Sequence, residues 1–405
     1  MDADGSMHRC TPLWAICSLT FLASIGTGVV WNGISFIVEH QFGFSKQQTL
    51  ALYGVLGATY VVGSLSTGRA LRALESHLSP RTALMFILML EALVCSGPWF
   101  VPKPWMVVAV ACVISVLSSW LWPIIESYLT AGRHGGAMRN AIGFWNLSWT
   151  GGVAVALVLM GSFIEEHASM AIVMLGALHG VAALLLVCFT REPGAHDEEQ
   201  SAAHVQDEYP LLLRAARVLL PLSYVLNAAM SPLLPYLLDD LEVEKGVQTS
   251  IGSRWMWVRI VAMAIMWQLG FWHGRWGTLL LGGVTMTSGF ALVVMSPAVW
   301  VLMVGLGLFG VGLGIVYYAA LYYAMSVGKA EVDAGGTHEA LIGVGYTVGP
   351  IAGLVGLGVS RRAADAGWDL WDGAGVVAIT CLLIGVGAIG AVRTYLQARR
   401  KRQVR

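Results

Sequence analysis

The chain has 405 residues, 57% of them hydrophobic and 12% charged, with 24 basic and 24 acidic side chains and a formal net charge of +0. A soluble domain carries about 25% charged residues, so this composition excludes an ordinary soluble enzyme, and the balanced charge gives no basis for binding nucleic acid. No phosphate-binding loop, zinc-ligand spacing or soluble catalytic domain interrupts the apolar sequence, so no enzyme activity, cofactor or metal is expected.

A bilayer crossing needs about 20 mostly apolar residues. Runs of that kind fall in chain order over 12–38, 47–67, 82–100, 105–129, 140–162 and 169–190, then 211–238, 248–271, 277–296, 299–325, 337–359 and 373–393. A charged stretch, Arg191 to Tyr209, separates the two sets of six. The expected fold is an all-α membrane protein of twelve transmembrane helices in two pseudo-symmetric six-helix bundles. The N-terminal bundle covers 1–190, a cytoplasmic linker 191–210, and the C-terminal bundle, with its basic tail, 211–405. The first run is too long for a signal-peptide core and lacks a small-x-small cleavage site, so it is kept as helix 1.

Lysine and arginine fix the expected orientation. Seventeen, between Arg9 and Arg405, fall on the side of the two termini; only Lys46, Lys103, Lys245, Arg361 and Arg362 fall opposite, and Arg254 and Arg259 lie inside helix 8. Basic residues concentrate on the cytoplasmic side, so both termini and the linker are expected there, in a plasma membrane or a bacterial inner membrane. The six cysteines lie in or beside apolar runs without close pairing and read as small buried hydrophobes.

The two halves echo one another. Helix 5 opens with Gly135-Gly136-Ala137-Met138-Arg139-Asn140-Ala141-Ile142-Gly143, and helix 11 with Gly335-Gly336-Thr337-His338-Glu339-Ala340-Leu341-Ile342-Gly343. Thr67-Gly68-Arg69 after helix 2 matches His273-Gly274-Arg275 after helix 8. Ordered matches of this kind mark a duplicated six-helix unit, and transporters place their substrate where such units meet. On these residues the chain resembles the major facilitator superfamily over essentially its whole length. Gly68 to Arg72 and Gly270 to Gly277 are similar to the family's glycine-and-basic loops, without their usual aspartate, which makes Gly68, Arg69, Gly274 and Arg275 gating-loop candidates. Gly345 to Gly353 is similar to the G-x-x-x-G-P-x-x-G element of the family's antiporters, here on helix 11 rather than helix 5. The resemblance implies a secondary active transporter working by alternating access.

Positions spaced i, i+4, i+7 share one side of a helix. Such lines carry Thr20, Ser24, Thr27 and Trp31 on helix 1; Tyr53, Gly57, Tyr60 and Ser64 on helix 2; and Ser115, Ser119, Trp122 and Glu126 on helix 4. Others carry Arg139, Gly143, Asn146 and Thr150 on helix 5; Ser223, Asn227 and Ser231 on helix 7; and Glu339, Gly343, Tyr346 and Pro350 on helix 11. Polar stripes are costly against lipid, so they pack on other helices or line an aqueous path. Trp31, Trp122, Glu126, Arg139, Asn146, Asn227, Arg259 and Tyr346 are the candidates for substrate contact or coupling.

Charged groups within a span are normally paired or placed in a watery pathway. Glu126 and Arg139 suit a gate pair, a proton site, a substrate-charge clamp or a helix-end ion pair. Arg259 suits an anionic substrate group or a bridge between helices. Glu91 and His179 suit a structural role or proton coupling. His338 and Glu339 suit either the start of helix 11 at the cytoplasmic surface, where an acid is stabilised by the helix dipole, or a gating pair. Aromatic residues concentrated on helices 4, 5, 10 and 11 suit an apolar, aromatic, sugar-like or cationic compound. The expected function is secondary transport of a small organic solute, coupled to protons. The expected partners are that small-molecule substrate, the lipid bilayer and protons, and the chain is expected to act as a monomer. The alternatives are a lipid or lysolipid flippase, or a membrane sensor with a transporter fold that does not transport.

Overall fold

The structure, a computed structural model, describes residues 10–74, 77–133, 135–194, 206–327, 332–368 and 373–403. Residues 195–205 of the expected linker, Lys329 and the terminal Arg9 and Arg405 lie outside the described residues.

The chain forms α1 (Leu13–Phe42), α2 (Lys46–Leu74), α3 (Pro80–Cys95), α4 (Pro104–Thr130), α5 (Gly135–His167) and α6 (Met170–Cys188). A second set follows as α7 (Tyr209–Asp240), α8, α9 (Trp276–Val294), α10 (Val299–Val327), α11 (Val332–Asp365) and α12 (Ala374–Gln403). Eleven helices among the described residues are long and apolar enough to cross a membrane. The remaining expected crossing, α8, is built in two pieces, Lys245–Gly252 and Arg254–Gln268, broken at Ser253.

Local chemistry sets the ends. Gly43 closes α1 at φ 63°, where its N–H reaches Glu39 O and the next N–H, that of Phe44, reaches Val38 O, a left-handed cap that glycine adopts without steric cost. Ser79 caps α3 by accepting from the Thr82 N–H at 3.3 Å, with Pro80 in the first turn, where proline's missing N–H is harmless. Within α1, residues Val29–Gly33 form a single π-helical turn.

Packing repeats between the halves. α1 lies on α5 as α7 lies on α11; α2 and α3 lie on α4 as α8 and α9 lie on α10. The halves meet chiefly where α2 crosses α11 and where α5 crosses α8. At the first crossing a methyl group on Gly57 would run into the backbone of Tyr346 and Thr347, so the absent side chain lets the two helices touch. Lipid-facing positions such as Phe86, Leu93, Leu280 and Leu382 are exposed.

Candidate functional site

A cavity of about 80 Å³ lies between the two sets of helices. Its wall combines Ser24, Trp31 and Asn32 of α1, Tyr60 of α2, Trp122 of α4 and Trp149 of α5 with Tyr224 of α7, Tyr317 of α10 and Glu339 and Tyr346 of α11. The rings form one connected shell. Trp31 stands edge-on to Tyr60 with centroids 5.2 Å apart and lies 4.5 Å from Tyr346. Tyr346 lies 5.1 Å from Tyr224, Tyr224 lies 6.4 Å from Tyr317, and Tyr317 lies 5.1 Å from Trp149. The π-turn of α1 lies within this wall and carries Trp31 and Asn32. Such turns are rare and cluster at functional sites.

On the side of the cavity nearer the chain ends sits a buried acidic cluster. Glu126, His338 and Glu339 are 1%, 4% and 3% exposed, and one ligand atom from each lies within 4.8 Å of the others. Tyr60 donates its hydroxyl hydrogen to Glu339 Oε2, linking α2 to α11. Neither Glu126 oxygen nor His338 Nε2 has a hydrogen-bond partner among the described residues. Two carboxyl groups this close, away from water, repel unless a proton or a cation lies between them. Arg217 lines a small space with His338 at its outer edge.

The other sequence candidates fall in several places. Trp31, Trp122 and Tyr346 line the cavity. Arg259 is 1% exposed and stands beside the wall rather than in it: its guanidinium carbon lies 4.4 Å from the Trp149 ring centroid and 4.7 Å from that of Tyr317, with Nε and Nη2 unpartnered. Asn146 is buried and accepts from Trp149 Nε1 at 3.0 Å, so it braces a wall residue. Asn227 accepts from Ser231 Oγ at 3.1 Å within its own helix. Arg139 does not pair with Glu126 among the described residues; it sits against Gly270 and His273 where α5 meets the end of α8. Glu91 and His179, considered singly in the sequence, come together: Glu91 Oε2 is 3.4 Å from His179 Nε2, Ser118 donates to Glu91 Oε1 at 3.0 Å, and both side chains are fully buried between α3, α4 and α6.

Two corrections concern boundaries. Gly68 and Arg69 are not in a loop, because α2 continues to Leu74. Gly274, at φ 70°, and Arg275 do lie in the short connection between α8 and α9. Glu339 is not in the first turn of α11, because that helix begins at Val332.

Sequence inspection missed a second junction between the halves, on the side away from the chain ends. His40 Nε2 and Gln248 Oε1 are 2.9 Å apart, and Gln248 donates to Asp239 at 2.5 Å. Tyr236 donates to Phe44 O at 2.6 Å and sits 2.8 Å from Thr49 Oγ1. Glu39, His40 and Asp239 form a second trio with ligand atoms within 4.8 Å. The cavity is thus bracketed by contacts between the halves toward both faces of the helical array.

A family model described as Major Facilitator Superfamily matches residues 16–357. Among solved structures the fold is similar to the human organic anion transporter TETRAN, with a TM-score of 0.65 and 14% identity over 95% of this chain and 99% of that one. It is also similar to the E. coli fucose:proton symporter FucP, with a TM-score of 0.60 and 14% identity over 95% and 98% of the two chains. The nucleoside transporter NupG gives 0.61 and 14% identity over the same shares. No curated protein matches the chain in sequence.

Proposed function

We propose that this chain, which belongs to the Major Facilitator Superfamily, carries a small organic solute across a membrane by alternating access and couples that movement to protons. It is a multi-pass membrane transporter rather than an enzyme. One observation carries the finer reading: an aromatic cavity shared by both halves is tied, through the hydrogen bond from Tyr60 to Glu339, to a buried carboxyl pair that makes no ion pair with a lysine or arginine among the described residues. Solute in the cavity and a proton on the pair would act on the same helix, α11, which is the geometry coupling needs. In this reading residues 1–190 and 211–405 rock about the cavity in a single monomer, 191–210 joins them in the cytoplasm, and both chain ends face the cytoplasm. A cavity of about 80 Å³ has no room for an acyl chain, which favours a compact solute over a lipid.

The test reconstitutes the protein with a trapped pH dye and adds solutes one at a time. Solute-dependent proton movement is expected for wild type, and Glu126→Gln should reduce it about tenfold or more while binding persists, since the amide keeps size but cannot titrate. Normal proton movement in Glu126→Gln would remove that residue from coupling. Binding without flux in wild type would make the protein a sensor.

A further inference from the structure

We infer that the central cavity receives a small organic cation, a methylated ammonium or guanidinium group, held between aromatic faces and the Glu339 carboxylate; this rests on the reading of the cavity as the solute site. Two features point to a cation, and a third, Arg259, shows what the rings can hold and supplies the control.

The first is the sign of the wall. Among the residues lining the cavity, Glu339 is the one acidic side chain, and no lysine, arginine or histidine lines it. Around it stand the rings of Trp31, Tyr60, Trp122, Tyr224, Tyr317 and Tyr346. Aromatic faces are electron-rich, and several of them enclosing one space make a cage that attracts a cation without needing a matched counter-charge for each ring.

The second is the set of unsatisfied polar atoms. Asn32 Oδ1 lines the cavity, is buried and has no partner among the described residues, although an unpartnered buried acceptor is costly; Ser24 Oγ on the same wall is likewise unpartnered and can accept or donate. A guanidinium, or an ammonium that keeps an N–H, would satisfy Asn32 Oδ1, whereas tetramethylammonium has no N–H and tests the rings and Glu339 alone. Trp145 Nε1 is an unpartnered donor on the same wall, and it does not outweigh Glu339 and Asn32 Oδ1 in favour of an anion.

The third is that the shell already holds a cation on its outer side. The Arg259 guanidinium lies 4.4 Å from the Trp149 ring centroid and 4.7 Å from that of Tyr317 and makes no ion pair among the described residues; these rings stabilise a positive charge in this setting. Arg259 is also the feature most favourable to an anion, so it supplies the decisive control. Size narrows the class. About 80 Å³ is roughly half the ~150 Å³ of a cavity known to admit benzene, which suits a group of a few heavy atoms rather than a fused ring system.

The experiment uses the full chain in nanodiscs, with tetramethylammonium as the probe, tert-butanol as its neutral match in shape and acetate as the anion. Tetramethylammonium should raise the melting temperature saturably and change tryptophan emission, and the other two should do neither. Trp31→Leu should weaken tetramethylammonium binding about tenfold or more, through loss of a desolvated ring contact. Glu339→Gln should weaken it at least as much, with Glu339→Asp retaining part; where Glu339→Gln fails to fold, Trp31→Leu and Glu339→Asp carry the test. Binding of acetate in place of tetramethylammonium, lost in Arg259→Lys, would overturn the cation assignment while leaving transport intact. Tetramethylammonium binding that is indifferent to both Trp31→Leu and Glu339→Asp would overturn the location. Failure of the transport reading shows separately, as absence of flux for every solute in proteoliposomes.

Discussion

Tyr60, midway along α2, donates its hydroxyl hydrogen to Glu339 on α11, so one hydrogen bond joins the first six helices to the last six at the rim of the cavity. The ring of Tyr60 has separate work, packing edge-on against Trp31. Tyr60→Phe keeps the packing and deletes the bond, which is worth about 1.5–3 kcal/mol when one partner is charged. Solute-driven proton movement is expected to fall about tenfold or more in this variant, with a melting temperature only a few degrees below wild type. Unchanged proton movement would show that the contact is incidental to coupling.

The pair formed by Glu91 and His179 lies away from the cavity and should behave as structure. Glu91→Gln still accepts from Ser118 and should transport normally. Glu91→Ala leaves His179 Nε2 and Ser118 Oγ facing an apolar void, and losing one partner of a buried pair costs about 3–5 kcal/mol. Thermal unfolding in detergent should separate the two variants clearly. A coupling defect in Glu91→Gln at normal stability would give the pair a role in proton movement instead.

Gly57→Ala places a methyl group against the backbone of α11. Overpacking of a close contact costs about 1–3 kcal/mol, and here the strain falls on the junction that encloses the cavity. The expected result is a lower melting temperature and faster labelling of Ser24→Cys, in a background without other cysteines, by a water-soluble thiol reagent. Labelling at the wild-type rate would mean that the helices separate little in the closed form.

His273 sits in the connection after α8, stacked on Tyr322 with centroids 4.7 Å apart and the planes 8° from parallel. Burial, and then the nearby Arg139 charge, hold its imidazole below the usual pKa. A base depressed in the folded state costs nothing above its unfolded pKa of about 6.5 and destabilises the fold as pH drops below that value. Acidification from pH 7 to 5 should therefore lower the melting temperature more in wild type than in His273→Phe, which keeps the stacking. Parallel curves for the two proteins would contradict this.

The periodicity of apolar runs was enough to place the crossings, because a bilayer dictates both their length and their composition. Local detail was less legible. Glu339 looked like an acid stabilised by a helix dipole because the apolar pattern of α11 starts near 337; the helix begins at Val332, and the extra turn carries Glu339 from the helix end to the cavity. Tyr224 and Asn32 gave no usable signal, since one tyrosine and one asparagine in apolar helices are unremarkable until neighbours arrive from other crossings. Arg259 was recognised as an unusual buried charge, but only packing could show Trp149 and Tyr317 standing against it. The break at Ser253 is not legible because the piece before it, Lys245–Gly252, has only Val247 and Ile251 as large apolar residues and reads as the polar approach to the crossing.

The wide turn at Val29–Gly33 sets how α1 responds to chain length as well as to chemistry. A π-turn accommodates one residue more than an α-helix would use over the same stretch. Removing a single residue there would let the turn rewind as α-helix with the flanking segments close to their present register, whereas the same deletion elsewhere in α1 would swing everything beyond it by about 100°. Ile34, Phe36 and Ile37, all buried, would keep their places, so a one-residue deletion should be tolerated better at this turn than a turn away on either side, with the damage confined to Trp31 and Asn32 in the cavity wall. The surplus residue thus aims part of the cavity wall without changing how the outer third of the first helix is clocked relative to the inner two thirds.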